Sequence, residues 1–154
     1  MKKIAKNDLT EVLEYIYQDY KLFLPMKEDN GLSFSEWSPG LDYDLETLKS
    51  TIPPKNIVFP QTETYLKFKR DNKNLEIEKV KNEIGDYILF GVRPCDVSSF
   101  QLLDNVFLEE PVDTFYKKHR EQGLIISQAC SDPEETCFCS SFDIEPESVC
   151  EGAD

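Results

Sequence analysis

A chain of 154 residues with a hydrophobic fraction of 40%, ten Phe and seven Tyr has the make-up of one ordinary globular domain. A domain of that size buries roughly 68–70% of its unfolded surface and needs no covalent staples to hold a core. A net charge of −13 argues against nucleic-acid and anionic-membrane partners. No apolar run approaches the ~20 residues of a membrane span, and the lysines at the N-terminus are not followed by the apolar stretch of a signal peptide.

In chain order, Leu9, Val12, Leu13, Ile16 and Tyr20 recur at helical spacing and predict an amphipathic helix over residues 8–20. Residues 21–56 read as irregular, punctuated by Pro25, Gly31, Pro39, Gly40, Pro53 and Pro54, with room for a short helix at Leu45–Lys49. The pattern then turns to β. Ile57–Phe59 and Thr64–Lys69 are strand candidates, and Asp71-Asn72-Lys73-Asn74 predicts a turn into Leu75–Val80. The continuous apolar run Tyr87–Val92 predicts a strand buried on both faces. Asp96 is a candidate cap for a helix Val97–Phe107, a second helix covers Val112–Glu121, and Gly123 leads into a strand Leu124–Ser127.

The expected fold class is therefore α/β. A mixed sheet holds a central parallel strand–helix–helix–strand unit, a β-hairpin accompanies it, and residues 1–154 make a single domain. In a parallel pair both strands deliver their carboxyl ends to the same sheet edge, where open α/β sheets keep their ligands. Cys95 lies three residues past the first strand and Cys130 three past the second, and Cys137 and Cys139 sit on the loop that follows. The sequence thus predicts cysteine loops gathered at the carboxyl edge.

Five cysteines in a chain read as cytoplasmic are not a disulfide framework. Cys95, Cys130, Cys137 and Cys139 supply the four thiolates that a [4Fe–4S] or [2Fe–2S] cluster takes. Their spacing lacks the paired knuckles of a structural zinc site, which together with unligated thiols remains an alternative. No Lys or Arg follows Arg120, while Asp132, Glu134 and Glu135 crowd the cysteines, so thiolates there call for a bound cation. Cys95 differs in having Arg93 and a helix start beside it. Arg93 is a candidate to hydrogen-bond a cluster sulfur and temper the low potential that the acidic surroundings imply.

Gly91-Val92-Arg93-Pro94-Cys95-Asp96, the helix end Leu103-Asp104-Asn105-Val106-Phe107, Cys130-x₂-Pro133-x₃-Cys137-Phe138-Cys139, Pro53-Pro54-Lys55 and Pro60-Gln61-Thr62-Glu63 form a recognisable set. Over roughly residues 50–142 the chain resembles the iron–sulfur beta subunits of sulfhydrogenases and the A subunits of anaerobic sulfite reductases. That resemblance implies a non-catalytic electron-transfer module. In it Cys95, Cys130, Cys137 and Cys139 hold a [4Fe–4S] cluster, and the partners are catalytic and flavin or ferredoxin subunits of a redox complex. The family's two C-x₂-C-x₂-C-x₃-C-P runs are absent here, as expected of a fragment or shortened relative. Loss of the cofactor is expected to loosen residues 130–154.

The remaining polar landmarks have plainer readings. Cys150 is a bystander, or a replacement for Cys95 if the loops fold differently, His119 a solvated residue on a basic helix face, Trp37 a packing residue, and Arg93 without a cluster a surface residue. Lys67, Lys69, Arg70, Lys73, Lys79 and Lys81 make the hairpin basic, in the manner of lysines that keep edge strands from pairing, with a docking patch for an acidic carrier as the alternative. The zinc alternative, or one with no metal, makes the chain a protein-interaction domain instead.

Overall fold

Successive side chains of a strand point to opposite faces, and the apolar runs of this chain use both. The computed structural model describes residues 3–29, 31–71, 74–80, 84–148 and 152–154. A 3₁₀ turn at Lys6–Asp8 opens α1 (Leu9–Tyr17), and β1 (Lys21–Glu28), β2 (Gly31–Trp37) and α2 (Lys55–Val58) follow. β3 (Leu66–Asp71) and β4 (Asn74–Lys79) make a separate hairpin before β5 (Tyr87–Val92), α3 (Pro94–Phe107), α4 (Thr114–Gln122) and β6 (Gly123–Ser127). The main sheet has the order β2-β1-β5-β6, with β1–β2 antiparallel and both β1–β5 and β5–β6 parallel. The mixed α/β class and the strand–helix–helix–strand unit are as the sequence predicts.

One face of the sheet carries Phe23, Tyr87, Leu89 and Ile125 against Val97 and Phe100 of α3 and Tyr116 of α4. The other carries Leu22, Leu24 and Ile88, which pack with Trp37 and with Leu13 of α1. Each such side chain, fully buried, contributes about 1.5–3 kcal/mol. Trp37 is a packing residue as expected, and its Nε1 donates to the Leu41 carbonyl at 2.8 Å. Among the described residues, no helix is long and apolar enough to cross a membrane.

Four local expectations are corrected. Residues 21–37 are not irregular but supply β1 and β2, despite Pro25. Proline is tolerated there because the parallel pairing with β5 ends at Phe23, so no partner strand asks for its missing N–H. Leu45–Lys49 is not helical. The Asp44 carboxylate accepts from the Glu46 and Thr47 amides, while the Leu45 carbonyl is taken by Arg93 and Gln128, so this segment satisfies its backbone through turn and tertiary bonds. Ile57–Phe59 is not a strand, since Pro54 caps the short helix α2 in its place and Val58 is buried. The helix after β5 also begins earlier than expected. Arg93 is its cap residue and Pro94 its first helical residue, so Asp96 lies inside the first turn.

Candidate metal centre

β5 reaches the carboxyl edge through an irregularity. Its pairing with β6 shifts register between Phe90 and Val92, and Gly91 between them has φ +84°. A bulge of this kind re-aims the chain. It leads directly into Arg93 and into Cys95 in the first turn of α3. β6 ends beside it, with the Gln128 amide and the Ser127 hydroxyl both donating to the Val92 carbonyl, at 2.8 and 3.1 Å. Cys130 follows at once.

These two strand ends and the loop after β6 enclose a cavity of ≈ 840 Å³, whose wall includes Arg93, Cys95, Cys130, Cys137 and Cys139. The structure therefore brings every candidate site residue to one place. It does not close them on a point. Among the described residues, no three Cys, His, Asp or Glu side chains are grouped so as to hold one metal ion. All four thiols are free, Cys95 and Cys137 exposed and Cys130 and Cys139 partly so. Cys150 lies outside the described residues, as do Lys73 and Lys81.

Arg93 is not the surface residue that its place at a strand end suggests. It is buried, and its two terminal nitrogens donate to the Ala129 carbonyl at 3.2 Å and the Leu45 carbonyl at 2.7 Å. The guanidinium thus ties the segment before α2 to the exit of β6 beneath the cavity. Cys95 gains less from its neighbours than the sequence implies. Although part of Cys95 is exposed, crowding around the first turn of α3 partly desolvates the thiol; this, then the charges of Asp96 and Cys139, push it up to about 11, and the helix amides only partly offset the rise. Burial likewise raises the Asp96 carboxyl above its ordinary value, against the opposing pull of Lys55 and Arg93.

The cysteine loop holds its own backbone. Cys130 N donates to Pro146 O at 2.8 Å, Cys137 N to Glu134 O at 2.9 Å and Ile144 N to Cys139 O at 3.0 Å. Beyond it, the Asp154 amide donates to the Ile125 carbonyl at 2.9 Å and its carboxylate accepts from the Ile125 amide at 3.0 Å, so the chain returns to the outer edge of β6.

Two lysines join the candidate residues at the cavity. Lys49 pairs with Glu134 at 2.6 Å and bonds the Thr136 hydroxyl, fastening the irregular segment to the cysteine loop. Lys55 opens α2 and lines the same wall. For Lys49 no sequence signal exists, because its partners are remote; Lys55 stands in the Pro53-Pro54-Lys55 motif, which marks it. His119 is also corrected. It is buried, with Nδ1 3.2 Å from the Val58 carbonyl and Nε2 3.3 Å from Glu63 Oε1, an ion-pair distance without hydrogen-bond alignment. It faces the core beside α2, because the basic pattern Lys117-Lys118-His119-Arg120 runs around the helix and not along one face.

Among known proteins, the chain is similar to the sulfhydrogenase 2 subunit beta of Pyrococcus furiosus, with 27% identity over 122 residues. The match takes in 79% of this chain but 35% of the relative, so the chain spans about a third of that protein's length. No family model matches the chain, and no solved structure does.

Proposed function

We propose that the chain is an electron-transfer iron–sulfur module of an anaerobic oxidoreductase complex of the sulfhydrogenase or anaerobic sulfite reductase type. One observation carries the reading: four unpaired cysteines from two strand ends and one loop line a single cavity at the carboxyl edge of a parallel sheet. The donor set fits a cluster better than a lone ion. A cubane is several ångströms across and accepts thiolates spread around a cavity, whereas tetrahedral zinc needs them within ≈ 2.3 Å of one point. The similarity to a hydrogenase beta subunit supports an oxidoreductase setting.

In this reading Cys95, Cys130, Cys137 and Cys139 hold a [4Fe–4S] cluster, which when bound supplies one-electron transfer without bond making in the protein. The chain's own residues do the rest. Arg93, Lys49 and Lys55 offset part of the negative charge that four thiolates and the nearby carboxylates gather. Residues 1–154 act as one domain in the cytoplasm, non-catalytic alone, with catalytic and flavin or ferredoxin subunits as partners.

Anaerobically purified protein is expected to contain about four iron and four acid-labile sulfide per chain, the count of a Cys₄-held cubane. Its broad visible absorbance should bleach on dithionite. Cys137→Ser with Cys139→Ser should remove the iron and leave the far-ultraviolet circular dichroism unchanged. Stoichiometric zinc without iron would turn the site into the anchor of an interaction domain. Absence of metal after anaerobic reconstitution would end the cluster reading.

A further inference from the structure

The turn that carries Cys137 has little of its own to hold it. Residues 131–138 are exposed throughout, with Phe138 at 64%. The Cys137 amide donates to the Glu134 carbonyl at 2.9 Å and closes the turn. A single backbone bond open to water fixes such a turn only weakly. Asp132, Glu134 and Glu135 crowd it with like charge, and no Lys or Arg follows Arg120, so a cation that steadies it has to come from another part of the chain.

Lys49 supplies that cation. Its ammonium lies 2.6 Å from the Glu134 carboxylate and donates to the Thr136 hydroxyl, so it grips two residues of the turn that ends at Cys137. An exposed ion pair by itself orders little, because two long side chains must be held in one geometry. What sets Lys49 apart is its footing. Before it, the Asp44 amide donates to the Pro25 carbonyl of β1 at 2.8 Å, and the Leu45 carbonyl accepts from buried Arg93 and from Gln128. After it, the Thr51 amide donates to the Leu32 carbonyl of β2 at 2.6 Å, and Ile52 bridges to Ser33. The backbone around Lys49 is thus fixed to the main sheet at both ends, and the side chain reaches from a fixed base to a turn that lacks one.

We propose that Lys49 is a positioning residue for Cys137. It holds the Glu134–Cys137 turn in place ahead of iron, so that one thiol of the cavity wall is already set when the others close on a cluster. Lys49 and Cys137 both line that cavity. Order present in a ligand loop before binding lowers the entropy lost on binding, so a chain with this turn set also gives up its iron more slowly. The role rests on the cluster reading, whereas the contact that performs it needs no metal.

The test follows amide exchange at Cys137 by NMR, in the full chain stripped by a chelator and kept reduced. Lys49→Gln should speed that exchange about two- to fivefold, the scale of one anchored surface pair. The direction is diagnostic. Exchange is base-catalysed, and removing a cation from an acidic turn repels hydroxide, which alone would slow it. Lys49→Arg should match the parent, and Lys49→Glu combined with Glu134→Lys should restore its rate, while the Leu89 amide of β5 stays constant in all of them. After anaerobic loading with ferrous iron and sulfide, Lys49→Gln should pass iron to a chelator faster than the parent by a similar factor, and Lys49→Arg should not. Exchange at Cys137 indifferent to Lys49→Gln overturns the proposal, as does a charge swap that restores nothing or an iron release that ignores Lys49. A parent that takes up no iron removes the cluster reading and the role with it; a parent that loads iron while its turn ignores Lys49 removes the role alone.

Discussion

Arg93 illustrates how a charged side chain can be buried without collapsing the site around it. Its fork meets two carbonyls in fixed directions, a geometry that a lysine cannot reproduce. The same segment supplies a carboxylate whose ionisation stabilises the fold. The Thr47 amide, the Lys27 ammonium at 3.0 Å and the Glu46 amide hold the Asp44 carboxyl well below the usual carboxylate range. The sign follows from linkage. A carboxyl depressed in the folded state contributes its full stabilisation above the unfolded value of about 4, and loses it as pH falls from there toward the folded value. Asp44→Asn keeps an acceptor for the two amides but not the charge. Urea unfolding should therefore show the variant less stable than the parent at pH 7, with the gap closing as pH falls below about 4. A gap independent of pH would remove Asp44 from the acid response.

At the scale of elements, the bulge at Gly91 determines where β5 delivers its cysteine. An L-residue at φ +84° is strained, and a Cβ there would come within 2.5 Å of the Leu45 side chain. Gly91→Ala should cost about 1–3 kcal/mol, measured by urea denaturation, because strain at a positive φ adds to a displaced neighbour. A loss within about 0.5 kcal/mol would show that neither the positive φ nor the Leu45 contact is costly at this position. Tyr87–Val92 is legible because it is buried on both faces, and the Gly123-bounded run to Ser127 because it is apolar at its centre even though Leu124 is exposed; parallel pairing then puts Cys95 and Cys130 together. The β1–β2 hairpin was not. Pro25 reads as a strand breaker, and only the early end of the β1–β5 ladder makes it harmless, which is a tertiary fact. Arg93 and Lys49 were obscured for the same reason, since their partners come from segments distant in sequence.

The whole molecule separates its charges by region. A net −13 is carried largely without basic relief after Arg120, where the cysteine loop lies, while the hairpin keeps its apolar face free of acids. The two regions therefore present unlike electrostatic surroundings on one chain. The return of Asp154 to β6 gives the molecule an internal reporter. Ile125 turns both backbone groups outward at the open edge of the sheet, and the far end of the thiol-bearing segment occupies them. Ordering that segment by iron loading should slow exchange of the Ile125 amide proton for deuterium, and Cys137→Ser should abolish the slowing; equal rates with and without iron would mean the two ends move independently. A single amide at the sheet edge thereby reports on the segment that follows the cysteines.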